Sequence, residues 1–393
     1  MPVFDIAEYK ERVSKTKERM NREGIEVLLA TDPANMNYLA GYDGDSFYVP
    51  QGLILKIDEE QPVWFGRGMD ANGARITTWL KEENIRAYSD DYVQSSIKHP
   101  MNFVTDILKE KGWINKIIGV EMDQYYFTAR CLTELKKDLP NTVFKDATLL
   151  VNMVRQIKSE KEISYMKRAA RIVERAIQVG IESIEAGVRQ CDAAAKIYYA
   201  QISGTPEYGG DYVAGAPLML TGKRASAAHL TWSDEKFHRN EVTILEIAGC
   251  YHRYHSPICR TVYVGNPPDK LKWVAEKSVE ALEKALDAIK PGITCEEVEK
   301  HWRKAAMAEG GVARESSYHR LGYSVGLGYP PDWGEHTASM RPGDKTILQP
   351  NMTFHLIPSI WEEDCGFGIS EAIRVTADGC ETLANFPRRL FVK

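Results

Sequence analysis

The sequence lacks the features that mark several large classes of protein. It contains no apolar run approaching the roughly 18 residues that span a bilayer, and no run of Lys and Arg that would bind nucleic acid. With 50 Lys+Arg against 55 Asp+Glu, the formal net charge is −5, so the chain has no basic character as a whole. We therefore expect neither a membrane protein nor a nucleic-acid-binding protein.

Cysteine is scarce and scattered. There are seven cysteines in 393 residues, an odd number with no CxxC pair, which does not suit a disulfide framework. The first ten residues have no basic segment followed by an apolar one, so we expect no signal peptide. Both observations favour a cytoplasmic location.

The apolar pattern predicts two domains of different class. Up to about residue 155, short apolar runs such as Val27–Ala30 alternate with helical patterns such as Asp5–Arg22, which is typical of an α/β domain. Beyond that point, long helical patterns are interleaved with strands of antiparallel type, which predicts an α+β domain. We place the boundary between residues 155 and 156.

Two capping signatures predict where helices of the second domain begin. Ser159-Glu-Lys-Glu162 places Ser at the N-cap and Glu three residues later, and an apolar pattern with helical spacing follows until Gly187. Thr294-Cys-Glu-Glu297 has the same form. We expect helices to start directly after Ser159 and Thr294.

Two short motifs suggest chemistry that their surroundings do not support. Gly322-Tyr-Ser-Val-Gly326 matches G-x-S-x-G, but a nucleophile elbow needs a following helix, and two prolines follow here. We interpret this segment as a glycine-rich turn beside a site. Cys250, His252, His255 and Cys259 suggest zinc, yet structural zinc usually takes two ligands from each of two separated elements. A strand and turn is the better interpretation.

Three polar residues lie in apolar surroundings. Glu246 and Glu371 each interrupt a strand-like run, and His229 has small and apolar neighbours. Burying an unpaired carboxylate costs several kcal/mol, so a buried glutamate is a candidate site residue. The same pattern also allows both glutamates to face solvent and His229 to be an ordinary core histidine, and the pattern alone leaves these alternatives open.

Two longer segments resemble a known family. Thr31-Asp-Pro-Ala-Asn-Met-Asn-Tyr-Leu-Ala-Gly41 resembles the N-terminal domain of creatinase and prolidase, and Arg155-Gln-Ile-Lys-Ser-Glu-Lys-Glu162 resembles the entry to their catalytic domain. The chain is thus identified as a member of the pita-bread family of creatinase, prolidase and methionine aminopeptidase. The resemblance implies a creatinase-like α/β domain over residues 1–155 and an α+β pita-bread catalytic domain over residues 156–393.

The metallopeptidases of this family hold two metals with Asp, Asp, His, Glu and Glu. The resemblance aligns these ligands, in order, with Glu246, Pro257, Tyr323, Ile357 and Glu371. Proline and isoleucine cannot bind a metal, and two carboxylates with one phenol are a poor transition-metal site. The resemblance therefore implies that the protein uses no metal and no other cofactor, and makes a proline-specific metallopeptidase the weaker alternative.

Creatinase has lost its metal ligands in the same way and hydrolyses its substrate without metal. By resemblance, His229 corresponds to its catalytic histidine, and Glu246 and Glu371 to its two guanidinium-binding glutamates. This chemistry is coherent because carboxylates bind the N–H edges of a planar cation while histidine relays a proton. Tyr323 would hydrogen-bond the tetrahedral intermediate, or it is a space-filling phenol.

Four further segments are similar to those of the ectoine hydrolases, which open the cyclic amidine of ectoine to N-acetyl-2,4-diaminobutyrate. They are Gly41–Tyr48, Gly66–Gly73, Gly328–His336, and Phe354-His355 before Trp361. The resemblance implies metal-free hydrolysis with His229 as acid and base, and with Glu246 and Glu371 clamping or attacking the amidinium. A creatinase acting on creatine and a non-catalytic binding module are the alternatives.

The same resemblance suggests substrate-binding residues and partners. The substrate-binding candidates are Phe47, Tyr48, Arg67, Arg320, Trp333 and His355, of which the two arginines are candidates for the substrate carboxylate. Ordinary packing is the alternative for Trp333 and His355. Relatives of this type are usually homodimers, in which Phe47, Tyr48 and Arg67 would reach the other subunit's site. Hydroxyectoine as a second substrate and a downstream deacetylase complete these expectations.

Overall fold

The computed structural model describes residues 2–307, 319–362 and 365–393, which form two compact units, Met1–Arg155 and Gln156–Lys393. The first unit contains six α-helices and six strands among its described residues. They are α1 (Ile6–Arg22), β1 (Val27–Ala30), α2 (Pro33–Ala40), β2 (Gly52–Lys56), β3 (Val63–Arg67), α3 (Ala71–Thr77), β4 (Ile85–Tyr88), α4 (Pro100–Glu110), β5 (Ile117–Val120), α5 (Ala129–Asp138), β6 (Val143–Asp146) and α6 (Leu150–Arg155).

The strands of the first unit form one mixed sheet in the order β4-β3-β2-β1-β5-β6. The pairs β3–β4, β1–β5 and β5–β6 are parallel, and β2 is antiparallel to both of its neighbours. Its core packs α4 and α5 against the sheet, with Val104, Ile107 and Leu135 fully buried. The α/β class expected for the N-terminal domain is confirmed.

Local chemistry explains helix α2, which lies within the first segment that resembles creatinase. The Asp32 side chain accepts a hydrogen bond from the Ala34 N–H, Pro33 occupies the first turn, and Gly41 ends the helix at φ 84°. The buried Glu121 carboxylate accepts hydrogen bonds from the Thr31 and Asp32 N–H groups at 2.6 and 2.8 Å. Burial and the nearby Asp32 charge raise the pKa of Glu121 to about 7.

The second unit contains long helices and a large sheet that is antiparallel except for the pairing of its last strand. Its described elements are α7 (Glu160–Ser183), α8 (Gln190–Ser203), β7 (Leu218–Thr221), β8 (Glu241–Tyr251), β9 (Tyr254–Val264), α9 (Asp269–Ala288), α10 (Cys295–Ala306), β10 (Gly322–Tyr329), β11 (Asp332–Met340), β12 (Thr353–Leu356), β13 (Ile360–Glu362), β14 (Cys365–Phe367), β15 (Glu371–Val375), β16 (Cys380–Thr382) and β17 (Phe391–Val392). Both predicted capping boxes, at Ser159 and Thr294, are present and begin α7 and α10.

The large sheet of the second unit has the order β16-β15-β12-β10-β9-β8-β7, with β11 paired to β10 and β17 to β9. Strands β8 and β9 form a hairpin in continuous register from Glu241–Val264 to Tyr251–Tyr254. Its two-residue turn, His252 and Arg253, has φ of 50° and 66°, as a type I′ turn requires. The cysteine and histidine cluster is thus a strand and turn, as expected.

The glycine-rich segment does not form the turn that the sequence suggests. Residues 322–329 form strand β10, and a second strand, β11, follows after the two prolines, so no nucleophile elbow is present. The Ser324 hydroxyl accepts a hydrogen bond from Thr337 at 2.7 Å. Among the residues that the structure describes, no helix has the length and apolar character needed to cross a bilayer.

Candidate active site

Glu246 lies within β8, opposite Cys259 of β9, and is only 7% exposed. No described residue donates a hydrogen bond to its carboxylate. Burial, and after it the charge of Asp332, raise the pKa of Glu246 to about 7. A buried carboxyl group that titrates near neutrality is a recognised feature of catalytic sites. The solvent-facing alternative left open by the sequence is wrong for Glu246.

Glu371 begins β15 and is fully buried, so the solvent-facing alternative is wrong here also. Its charge environment differs from that of Glu246. Its Oε1 atom accepts hydrogen bonds from Arg260 Nη2 at 2.7 Å and from Arg388 Nε at 3.0 Å. Its Oε2 atom is buried and has no hydrogen-bond partner among the described residues. Glu371 thus presents one carboxylate oxygen that is fully engaged and one that is free.

Strand β9 connects the two glutamates. Cys259 stands opposite Glu246 in the hairpin register, and the next residue, Arg260, binds Glu371. Burial, and then the charge of Glu246, raise the pKa of the Cys259 thiol well above its usual value. The glutamates therefore belong to one region of the sheet, although 125 positions separate them in the chain.

Tyr323, Trp333 and His355 form a hydrogen-bonded chain. Trp333 Nε1 donates to the Tyr323 hydroxyl at 2.9 Å, and the hydroxyl lies 2.9 Å from His355 Nδ1. His355 Nε2 lies 2.6 Å from the hydroxyl of Ser370, the residue before Glu371. Burial, and then the Arg320 charge, lower the pKa of His355 to about 3, so its ring is neutral at pH 7.

The Tyr323 phenol also lies within electrostatic reach of Glu246. Burial, and after it the Glu246 charge, raise the pKa of Tyr323 far above its ordinary value, so the phenol stays protonated. The Arg320 guanidinium stacks over the phenol ring, 4.4 Å from its centroid, and donates to Ser339 Oγ. The Arg320 side chain is exposed and makes no ion pair with a described carboxylate.

His229 lies apart from this chain of hydrogen bonds. It is exposed in the turn that follows the short helix 222–226, and its backbone has φ 64°, a conformation that residues other than glycine rarely adopt. Its ring makes no hydrogen bond with Glu246, Glu371 or Tyr323. Such a strained backbone is common at functional sites, although the geometry by itself assigns no role.

The remaining candidates, Phe47, Tyr48 and Arg67, belong to the first unit. Arg67 forms two hydrogen bonds with the Asp90 carboxylate, at 2.8 and 2.7 Å, and a third with the Tyr48 hydroxyl. Phe47 packs against Tyr126 with ring centroids 5.4 Å apart. The Arg67 charge is therefore already balanced by Asp90, whereas Arg320 forms no ion pair within the described part of the chain.

The sequence analysis did not identify Arg260, Ser370 or Arg388 as site residues. Arg260 had a usable signal, because it is the one charged residue in the otherwise uncharged strand β9. It donates to the carbonyl oxygens of Cys259, Ser370, Phe386 and Pro387 as well as to Glu371. Arg388 stands in the polar stretch Pro387-Arg-Arg389, where no local pattern sets it apart.

The residues at the metal-ligand positions of the family do not fit a metal. The side chains of Pro257 and Ile357 contain no atom that can bind a metal. The Tyr323 phenol is engaged by Trp333 and His355, and one Glu371 oxygen is engaged by two guanidinium groups. Across the described ranges, no group of three or more His, Cys, Asp or Glu side chains is arranged to hold a metal ion.

Comparison with known proteins identifies the family. Residues 164–377 match metallopeptidase family M24, and residues 12–157 match the creatinase/prolidase N-terminal domain. The chain therefore belongs to metallopeptidase family M24, with a creatinase-type α/β N-terminal domain and a pita-bread catalytic domain. In fold it is similar to the prolidase of Thermococcus sibiricus, with a TM-score of 0.83 at 23% identity, covering 98% of this chain and 99% of that one.

Two relatives extend over almost the whole chain. The ectoine hydrolase of Halomonas elongata is 46% identical over 396 residues, covering 99% of this chain and 98% of the relative. An uncharacterized hydrolase/peptidase of Sinorhizobium fredii, y4tM, is 46% identical over 390 residues with the same coverage. The similarity thus extends over the whole region that contains the candidate site.

Proposed function

We propose that this protein hydrolyses the cyclic amidine of ectoine to N-acetyl-2,4-diaminobutyrate, without a metal ion. The observation that carries the proposal is the 46% identity with an ectoine hydrolase over nearly the full length of both chains. The lack of metal-binding side chains at positions 257 and 357 supports the metal-free chemistry. Two buried glutamates in contrasting environments supply what an amidinium substrate requires.

The two glutamates suit the two N–H groups of ectoine, which flank a single carbon, C2. The free Oε2 atom of Glu371 is a buried acceptor without a partner, and such an atom is costly unless a donor reaches it. One amidinium N–H would supply that donor. Glu246 would bind the other N–H, with C2 left open to attack. Arg320 is the better placed of the two candidate arginines for the substrate carboxylate, because Arg67 is paired with Asp90.

Two routes are consistent with this arrangement. In the first, His229 takes a proton from a water molecule as its oxygen adds to C2, and then gives that proton to the departing ring nitrogen as the C2–N bond breaks. In the second, the Glu246 carboxylate adds to C2, and the C2–N bond breaks as the departing ring nitrogen takes a proton from protonated His229. Water then adds to C2 of the resulting O-acyl imidate while His229 accepts its proton, and the C2–O bond to Glu246 breaks, which releases the carboxylate and leaves the acetamide. In both, the protonated Tyr323 phenol would donate a hydrogen bond to the tetrahedral intermediate.

The wider expectations are part of the same proposal. We place the protein in the cytoplasm, in keeping with six free cysteines among the described residues. We propose a homodimer in which Phe47, Tyr48 and Arg67 serve the partner's site, with hydroxyectoine as a further substrate and a deacetylase acting on the product. Size-exclusion chromatography with light scattering measures the oligomeric state.

The proposal is tested by incubating the purified protein with ectoine in excess EDTA and following the ring protons by NMR. We expect conversion to N-acetyl-2,4-diaminobutyrate at an undiminished rate. Conversion that requires added Mn²⁺ or Zn²⁺ would contradict the metal-free mechanism. If ectoine is unchanged with and without metal, the proposed substrate is wrong, and creatine is the next compound to test in the same way.

His229 is tested separately, because it makes no hydrogen bond with the other described site residues. We expect His229→Ala to lower kcat by about 10²-fold or more, the usual contribution of a general acid or base. His238→Ala, which changes another exposed histidine nine residues further on, is the matched control and should keep full activity. Near-normal turnover by a folded His229→Ala protein would remove His229 from the mechanism.

A further inference from the structure

Only one of the two oxygens of the Glu371 carboxylate accepts hydrogen bonds from described residues. Both of its charged partners, Arg260 and Arg388, donate to the same oxygen, Oε1, at 2.7 and 3.0 Å. Its Oε2 atom is buried without a described partner. Two donors converging on one oxygen fix the plane of the carboxylate and the direction of the other oxygen. The substrate is thus offered a single acceptor in a defined position.

The two arginines differ in how deeply they are built into the fold. Arg260 is fully buried and donates to four backbone carbonyl groups besides Glu371, so it is part of the framework. The side chain of Arg388 is 26% exposed, and its hydrogen bond within the described residues is with Glu371 alone. Changing Arg388 therefore alters the contact with Glu371 while leaving the framework in place.

The chain on both sides of Arg388 is held against the sheet. Arg260 binds the carbonyl oxygens of Phe386 and Pro387 just before it, and β17 pairs in parallel with β9 just after it, with Phe391 opposite Val262. The Arg388 backbone is thus fixed at two points within six residues. This anchoring gives its Nε atom a constant position relative to Glu371.

We propose that Arg388 is a positioning residue, which together with Arg260 orients Glu371 so that its Oε2 atom alone binds an N–H group of the cationic substrate. This inference rests on the proposed function, since it assigns the amidinium as the group that Oε2 receives. Arg388 acts through Glu371 and does not itself touch the substrate. Arg388 lies outside residues 164–377, the range that matches the catalytic family.

The test compares Arg388→Gln, Arg388→Lys and the matched control Arg389→Gln, the neighbouring arginine that stacks on Phe391. Losing a hydrogen bond to a charged group reduces an affinity by roughly ten- to hundred-fold. We expect Arg388→Gln to raise KM for ectoine by this factor while kcat changes little, because the cation is bound before C2 is attacked. Arg388→Lys keeps a charged donor, so its KM should return most of the way to that of the unchanged protein. The KM of Arg389→Gln should equal that of the unchanged protein.

Several outcomes would overturn the proposal. An unchanged KM in Arg388→Gln excludes positioning of Glu371. A lower unfolding temperature in both Arg388 variants, with a reduced kcat and a normal KM, indicates a structural role instead. If KM rises equally in Arg388→Gln and Arg389→Gln, the effect comes from the loss of positive charge in general.

A second readout needs no activity, which separates this inference from the proposed function. The infrared carboxylate stretch of Glu371 is isolated as the difference between the unchanged protein and Glu371→Gln. We expect Arg388→Gln, but not Arg389→Gln, to shift that band, because one donor to Oε1 is lost. If the band moves while ectoine is not hydrolysed, the positioning role holds and the substrate assignment fails. If the band does not move, the positioning role fails whatever the substrate is.

Discussion

Glu246 and Glu371 are chemically identical residues with opposite surroundings. Glu371 has two guanidinium groups on one oxygen, whereas Glu246 has no cationic partner among the described residues and lies within reach of the Asp332 charge. Environments that separate two carboxyl groups in this way usually separate their roles in catalysis. Under the proposed function, Glu371 would hold the cation throughout the reaction, and Glu246 would change its charge or its covalent state.

Glu246 should make stability depend on pH. Its pKa is about 7 in the folded protein, against an ordinary value of 4.5 for an unburied glutamate, so the folded state binds more protons between these values. Stability then falls as pH rises from about 4.5 through 7, by roughly 3 kcal/mol at most. Glu246→Gln has no charge to bury, and we expect its stability relative to the unchanged protein to increase from pH 5 to pH 8.

Urea unfolding at the two pH values measures this effect. Glu283→Gln, which changes an exposed glutamate of α9, serves as the control and should show no such difference. If the stability difference between Glu246→Gln and the unchanged protein is the same at pH 5 and pH 8, then Glu246 does not titrate in this range.

Tyr323→Phe tests the phenol directly. The substitution removes the acceptor of Trp333 Nε1–H and the partner of His355 Nδ1. We expect the free energy of unfolding to fall by about 1–3 kcal/mol, and kcat to fall by about 10²-fold if the phenol stabilises the intermediate. Tyr263→Phe on β9 is the control, because its hydroxyl has no hydrogen bond with a described residue. A normal kcat in Tyr323→Phe would mean that the phenol only fills space.

Helix α7 and strand β8 approach so closely that one position between them must be glycine. A Cβ atom at Gly249 would lie 2.0 Å from the Ala169 carbonyl oxygen and 2.8 Å from the Val173 nitrogen. Gly249→Ala should therefore force the helix away from the strand that carries Glu246, which we expect to destabilise the protein by at least about 1–3 kcal/mol.

The unfolding temperature of Gly249→Ala, measured by thermal unfolding, tests this prediction. Gly73→Ala is the control, because Gly73 lies in helix α3 with no atom within 4 Å of its added Cβ. There alanine favours the helix and should be neutral or slightly stabilising. An unfolding temperature for Gly249→Ala equal to that of Gly73→Ala would mean that α7 and β8 have room for a methyl group between them.

The elements differ in how far the sequence predicts them. The capping boxes at Ser159 and Thr294 are local signals, and both helices begin where the sequence predicts. The segment 322–329 has three glycines, which suggested a turn, yet it forms strand β10. A Cβ at Gly322 would lie 2.5 Å from the His355 carbonyl oxygen, and one at Gly326 would lie 2.5 Å from Glu335 Oε1. Glycine at these positions allows atoms of neighbouring strands to approach closely. The local sequence pattern cannot predict these contacts between strands.

At the scale of the whole molecule, predicting the site depended on long-range contacts. Glu246 and Glu371 could be named because a family resemblance aligned them, while their contrasting surroundings could not be read from the sequence. The ion pair between Arg260 and Glu371 joins residues 111 positions apart, and Arg388 adds a partner from a third segment. The order of strands in the sheet creates these contacts, and apolar spacing along the chain carries no information about it.

The Cys259 thiol can report how often the sheet around it unfolds locally. Its thiol is fully buried opposite Glu246, and its pKa is raised, so a thiol reagent in solution cannot reach a reactive thiolate in the closed structure. Labelling of this residue therefore requires an opening event, and its rate measures local unfolding around Glu246 and Glu371. A ligand bound to both glutamates would lower the rate of Cys259 labelling, so ligand binding could be followed without measuring turnover.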